Sequence, residues 1–230
     1  MNSILKNDNK LLENTELITK PGTYDEFEMI MAVYQKALNN SLQNLIDLKQ
    51  LLNQYYNYDV ITNVTGRLKS PQSILGKMKK KKININYQNM IENINDIAGV
   101  RIICNYKDDI YKIRNIIRKE KNIKIIKEKD YIKKSKKSGY SAYHIIVEIP
   151  VEIKEKKIPV KVEIQIRTML MDFWSSTEHT VKYKAKKKLS NIDSFKLSIY
   201  ARIINVISDK MMKIYRKQTI KYKSLDPYSL

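Results

Sequence analysis

Between Tyr24 and Gln54 the apolar residues Phe27, Ile30, Met31, Tyr34, Leu38, Leu42, Leu45, Leu48 and Leu52 recur at helical spacing. This predicts one long amphipathic helix or two shorter ones, suited to scaffolding or subunit contact. Pro21 and Gly22 punctuate its approach, and neither residue type interrupts it. The pattern then turns extended over Val64–Lys69 and helical again at Ser70, a good N-cap, followed by Pro71, a good first helical residue. Asp96–Cys104 (DIAGVRIIC) reads as a buried β-branched strand with one acid at its mouth and Arg101 inside it. A helix over Asp108–Arg118, with Ile110, Ile113, Ile116 and Ile117 inward, leads to a short strand at Ile123–Ile126.

Tyr143–Ile149 and Ile158–Ile166 read as a hairpin joined across Pro150–Lys157. In the second strand Val160, Val162, Ile164 and Ile166 take one face, and Lys161, Glu163, Gln165 and Arg167 the other. From Thr168 a helix is expected with Met169, Phe173, Trp174 and Val181 on its apolar side, Trp174 being a core residue. A last helix over Asn191–Arg216 carries Ile192, Phe195, Ile199, Ile203, Val206, Ile207, Met211 and Ile214, with a basic exposed side. Strands alternating with helices predict an α/β (α+β) fold, a mixed β-sheet of about five strands flanked by helices. The expected organisation is a polar tail (1–20), one domain (21–217) and a second tail (218–230). Within the domain, N-terminal helices (21–60) precede a core (64–184) and a C-terminal helix (191–217).

Composition narrows the class. The 230 residues hold 44 lysines and arginines against 24 acids, a formal charge of +20, which suits nucleotides, nucleic acid or an anionic surface as partners. Lysine as the default surface residue accounts for such an excess equally well. Cys104 is the single cysteine, so neither an intrachain disulfide nor a thiolate metal cluster is expected, and the cytoplasm is the natural home. No stretch reaches the roughly 18 apolar residues of a membrane span.

The five glycines are too dispersed for a Walker loop or a dinucleotide fingerprint. Phosphate binding therefore falls to side-chain cations: Arg67, Lys69, Lys77, Arg101, Lys136 and Arg167 lie in or beside the segments above. Ser73 and Lys77 share a helix face near Arg67 and Lys69, though the same spacing suits an ordinary solvated basic face. Asp96 and Glu163 are placed to share one Mg²⁺, or each to pair with a neighbouring cation.

In order along the chain stand Arg67, Lys69, Ser73 and Lys77; DIAGVR at Asp96–Arg101; KDYI at Lys129–Ile132; Lys136 with GY..YH at Gly139–His144; EIQIRT at Glu163–Thr168; and MDFWSSTEH at Met171–His179. Together they resemble the synthetase domain of the RelA/SpoT homologue family over roughly Val64–Lys184, and the short length is similar to a small alarmone synthetase. The resemblance implies transfer of pyrophosphate from ATP to the 3′ hydroxyl of GDP or GTP, with GMP a further candidate, releasing AMP in the stringent response. It implies that Arg67, Lys69, Ser73, Lys77 and Arg101 serve ATP, and that Asp96 and Glu163 are catalytic and hold Mg²⁺. Glu163 would activate the acceptor hydroxyl as a base or through the metal. Tyr140 would stack on guanine, and Lys129, Lys136, His144, Gln165 and Arg167 would line the acceptor. Similar proteins are homotetramers, and single-stranded RNA or an alarmone is a candidate allosteric ligand.

Where the family commonly has Arg and then Ser after the guanine-stacking tyrosine, this chain has Ser141 and Ala142. His144 and His179 are its only histidines, too few for the family's hydrolase site, so synthesis without degradation is expected. An RNA-binding module using the lysine-rich faces is the alternative from another class. A different nucleotidyltransferase would place two acids one residue apart on a strand, and no such pair falls on a predicted strand.

Overall fold

The computed structural model describes residues 23–153, 155–181 and 189–219. The expected tail at 1–20, the tail beyond Thr219 and the Lys184 end of the expected core lie outside them. Helix α1 (Thr23–Tyr56) is one continuous helix, settling the choice between one and two. There follow β1 (Ile61–Leu68), α2 (Pro71–Lys81), α3 (Tyr87–Asn93), β2 (Ala98–Cys104), α4 (Lys107–Lys119), β3 (Lys124–Asp130), β4 (Tyr143–Ile153), β5 (Lys156–Thr168), α5 (Met169–His179) and α6 (Asn191–Thr219). Ser70 caps α2 as expected, its hydroxyl accepting the Ser73 N–H at 3.3 Å. Helix α3 was not expected; its start is fixed by Asn86, whose side chain accepts the Asn89 N–H at 2.8 Å.

The strands form one five-stranded mixed sheet in the order β1-β2-β5-β4-β3, with β2 and β5 parallel and every other pair antiparallel. Its apolar face carries Val100, Ile102, Ile145, Val147, Val162, Ile164 and Ile166, all buried with Leu38, Leu45 and Leu52 of α1 and Ile110, Ile113 and Ile117 of α4. The opposite face is mostly polar, with Ile103 and Ile146 among its side chains.

The β4–β5 hairpin is longer than expected. Its strands run to Ile153 and from Lys156, so the predicted Pro150–Lys157 connection is mostly ladder. Pro150 and Pro159 face each other directly. That pairing lies beyond the last partners of β3 and β2, where neither missing N–H is needed by a third strand. Strand β3 likewise extends to Asp130, four residues past the predicted end.

Helices α5 and α6 depart most from expectation. Trp174 is core, 4% exposed, but Met169 and Phe173 face outward, and Met171 fills the inner position instead. On α6, Ile192, Phe195, Ile203, Val206, Ile207, Met211 and Ile214 are all exposed. The helix docks instead through the small Ala201, the Arg216–Asp108 and Lys107–Asp209 ion pairs, and Tyr215 stacked on Tyr106 at 4.3 Å. No described helix is long and apolar enough to cross a membrane.

At the foot of that dock lies Asp109, 1% exposed, which accepts hydrogen bonds from the Tyr58 hydroxyl at 2.5 Å and the Tyr106 N–H at 3.1 Å. Burial pushes its carboxyl up to about 6, against the opposing pull of Tyr58, Lys112 and Tyr106. With a folded pKa above the unfolded value, the stability it contributes is complete below about pH 4 and is lost as pH rises through about 6. Asp109→Asn removes this dependence. Between about pH 4 and pH 7 the difference in urea unfolding free energy should move toward the variant by up to ~3 kcal/mol; a difference independent of pH would contradict the assignment.

Candidate active site

Residues directly opposite in neighbouring strands share a face, so the sheet register aligns the polar residues in rows. One row runs Thr65, Arg101, Gln165, His144 and Lys129 across β1, β2, β5, β4 and β3. The next runs Arg67, Gly99 and Glu163, with Arg167 on the same face of β5. Segments nearly a hundred residues apart in the chain are thereby brought to one surface.

At its centre five side chains close a ring of hydrogen bonds. One Arg167 terminal nitrogen (Nη2) donates to the Tyr140 hydroxyl at 2.8 Å and to Gln165 Oε1 at 2.6 Å. Gln165 Nε2 donates to Glu163 Oε2 at 2.7 Å. On the other side the Tyr140 hydroxyl meets His144 Nε2 at 2.7 Å, and His144 Nδ1 meets Glu163 Oε1 at 3.1 Å. Donor directions are consistent throughout if His144 carries its proton on Nδ1: Arg167 only donates and Glu163 only accepts. Burial alone would raise the Glu163 carboxyl, but the hydrogen bonds from His144 and the Gln165 amide outweigh it and hold the group below the usual carboxylate range. Burial raises the Tyr140 phenol against the pull of Arg167.

Asp96 lies just ahead of β2 and is gripped by Lys69 at 3.0 Å and Lys77 at 2.7 Å. Burial pushes its carboxyl up, and those two ammonium groups more than reverse the shift. The alternative in which Asp96 pairs with neighbouring cations is therefore realised here. Arg67, Asp96, Gly99, Arg101, Glu163 and Gln165 line a cleft of about 320 Å³. Gly99 offers no side chain between Arg67 and Glu163, which leaves its floor open.

The remaining candidates lie around this cleft. The Lys136 ammonium sits over the rings of Tyr140 at 4.5 Å and Tyr131 at 4.8 Å. Lys129 is exposed on β3 opposite His144. Ser73 is exposed in the first turn of α2, its hydroxyl 2.8 Å from that of Ser70, and is not among the residues lining the cleft. Ser141 and Ala142, where the chain departs from the family pattern, are both buried, and the Ser141 hydroxyl donates to the Tyr131 carbonyl at 3.1 Å.

Sequence reasoning gave no role to Asp172. Its Oδ1 lies 3.1 Å from Arg101 Nη1 and 3.2 Å from Arg167 Nη1, tying β2 to β5 through the first turn of α5. The signal was its place five residues after Arg167 across the Thr168 cap, where strand gives way to helix and the chain folds back on itself. Burial and the neighbouring Arg167 lower the Arg101 pKa, with Asp172 opposing them.

Residues 66–188 match the family described as the region found in RelA/SpoT proteins. The chain is 35% identical over 193 residues to the GTP pyrophosphokinase YwaC of Bacillus subtilis, covering 84% of this chain and 92% of that one. It is similar to the crystal structure of small alarmone synthetase 1 from Bacillus subtilis bound to its product pppGpp, with TM-score 0.77 and 31% identity over 84% of this chain and 97% of that one. Small alarmone synthetase 2 from Bacillus subtilis gives TM-score 0.75 and 34% identity over 84% and 99%. The chain belongs to the RelA/SpoT family. Within it, this is a small alarmone synthetase homologue with the mixed sheet expected of that class, a GTP pyrophosphokinase.

Arg167 is 4% exposed and feeds the hydrogen-bond ring with two bonds from one nitrogen while holding Asp172 with another. A lysine cannot satisfy these divergent acceptors from one ammonium. Arg167→Lys should lose about 1–3 kcal/mol of unfolding free energy and at least ~10-fold in pyrophosphate transfer. Urea denaturation and a nucleotide assay measure the two effects, and wild-type values in both would contradict the ring's importance.

Proposed function

We propose that the chain transfers the pyrophosphoryl group of ATP to the 3′ hydroxyl of GDP or GTP, releasing AMP, and acts as a synthetase without hydrolase activity. The observation that carries this reading is the placement of Arg67 and Arg101 in one cleft with Asp96 and Glu163, flanked by Lys69 and Lys77 paired to Asp96 and by Arg167 paired, with Arg101, to Asp172. Migration of a pyrophosphoryl group needs cations aimed at its developing charge more than it needs covalent chemistry.

In this reading Arg67, Lys69, Lys77 and Arg101 bind the donor phosphates, with Ser73 at the helix start beside them. Tyr140, held by its hydroxyl, presents its ring to guanine, and Lys129, Lys136, His144, Gln165 and Arg167 surround the acceptor. Glu163, kept ionised by its His144 and Gln165 hydrogen bonds, takes the proton of the attacking hydroxyl on a carboxylate oxygen. His144 and Gln165 also fix the direction in which that oxygen points. In this reading Asp96 and Glu163 would hold Mg²⁺: both line the cleft and both offer hard carboxylate oxygens, here engaged by Lys69 and Lys77 and by His144 and Gln165, partners the ion would share or displace. Bound there, Mg²⁺ would neutralise phosphate charge. The Asp96–Lys69–Lys77 cluster keeps the acid ionised and the two ammonium groups beside the cleft.

The uncovered apolar residues of α5 and α6 support self-association, with a homotetramer as the expected state. The cytoplasm is the expected compartment, and the stringent response the expected setting.

Purified protein incubated with ATP, Mg²⁺ and GMP, GDP or GTP, followed by nucleotide chromatography, tests the reaction. AMP and a more phosphorylated guanine nucleotide should appear in equal amounts. Glu163→Gln and Asp96→Asn should each lower the rate at least ~100-fold with an unchanged circular dichroism spectrum. Absence of product with every acceptor, or full activity in both variants, would refute the proposal.

A further inference from the structure

We infer that Asp172 is a positioning residue that sets the separation and charge balance of Arg101 and Arg167, and so aligns the donor and acceptor sites with each other. The inference rests on the site assignment proposed above. Arg101 projects from β2 and Arg167 from β5, and the two guanidinium groups repel one another. A single oxygen, Asp172 Oδ1, lies within ion-pair distance of both, at 3.1 Å and 3.2 Å. It comes from a third element, the first turn of α5, whose start is fixed by Thr168 accepting the Met171 N–H at 3.2 Å. Trp174 and Met171, each 4% exposed, anchor that helix in the core, so the carboxylate is held rather than swinging on a loose surface turn.

The bond inventory shows why the two arginines need this partner. Arg167 Nη2 is committed to Tyr140 and Gln165, and Arg167 Nη1 to Asp172. The Nε atoms of both Arg101 and Arg167 are buried without a hydrogen-bond partner. Asp172 is thus the shared anion that offsets the repulsion between the two cations. Its position also connects Arg101 to the ring that orients Glu163, through Arg167 and Gln165.

Removing the charge has two opposite consequences. The guanidinium groups are free to move apart, so attacking and migrating atoms are less well aligned and kcat falls. Because the lost charge is negative, polyanionic nucleotides are not repelled more strongly, and KM does not rise. A residue that merely supported the fold would lower stability or raise KM; the split between the two parameters therefore distinguishes alignment from support.

The test compares Asp172→Asn and Asp172→Glu with Arg101→Ala and Arg167→Ala in steady-state kinetics on the full chain with ATP, Mg²⁺ and GDP or GTP, alongside thermal melting. Asp172→Asn should lose about 10- to 100-fold in kcat, with KM for ATP and the acceptor unchanged or lowered. Asp172→Glu keeps the charge and should recover part of that loss. A kcat within twofold of wild type for Asp172→Asn, or a KM that rises with the loss, overturns the inference. Should Asp172→Asn melt below the assay temperature, Asp172→Glu decides: retained kcat with unchanged KM supports the role, and a raised KM overturns it. If the two arginine variants keep full turnover, the site assignment itself fails; if they lose it while Asp172→Asn does not, the assignment stands and only the role of Asp172 falls.

Discussion

The closed ring from Arg167 through Tyr140, His144, Glu163 and Gln165 is the constraint on which the site depends. Each member has its partner fixed by strand pairing or by a turn ending at β4, so the ring closes only in one register. His144 stands opposite Gln165, and Ile146 opposite Glu163. A slip by one residue would turn Glu163, Gln165 and Arg167 toward α1 and bring Val162, Ile164 and Ile166 to the surface. Apolar burial on one face and the hydrogen-bond ring on the other are therefore two readings of the same register. Burying the first enforces the second, and the ring in turn leaves few buried polar atoms unsatisfied, the arginine Nε atoms being exceptions.

Electrostatics divides the chain's positive charge into useful pairs. Asp96 gathers Lys69 and Lys77 at the mouth of β2, while Asp172 gathers Arg101 and Arg167 at its middle and at the end of β5. Each acid lowers the self-repulsion of two cations and holds their positions, so that the cleft presents an arranged positive surface and not a diffuse one. Net charge alone would not provide this, because scattered surface lysines are screened over about one Debye length.

Much of this was legible in the sequence because periodicity reports burial. The alternation from Val160 to Ile166 placed Glu163 and Gln165 on the polar face, and the Ser70–Pro71 pair located the start of α2. What escaped was whatever depends on contacts between distant segments. The β4–β5 turn was displaced because prolines normally end strands; here Pro150 and Pro159 pair with each other beyond the neighbouring strands. Asp172 stands five residues after Arg167, but its second partner, Arg101, sits on a strand that meets β5 only in the folded sheet, so the shared pairing could not be read locally. On α6 the apolar stripe was visible, but hydrophobic spacing does not say which neighbour covers a face, and Ile203, Val206 and Met211 stay exposed.

Helix α6 joins that uncovered face to the site. Gly139, whose φ of +87° lies in the left-handed region, abuts Ala201 so closely that a Cβ added there would lie 2.2 Å from the alanine Cβ. The next residue, Tyr140, is a member of the ring. Small residues on both sides are thus a steric requirement for the close approach of the turn bearing Tyr140 to α6. Arg216–Asp108, Lys107–Asp209 and the Tyr106–Tyr215 stack hold the far end of α6 against α4. The helix that carries the exposed apolar stripe is consequently the one against which the Tyr140 turn is fixed, and packing on its outer face and geometry at the cleft share one rigid element.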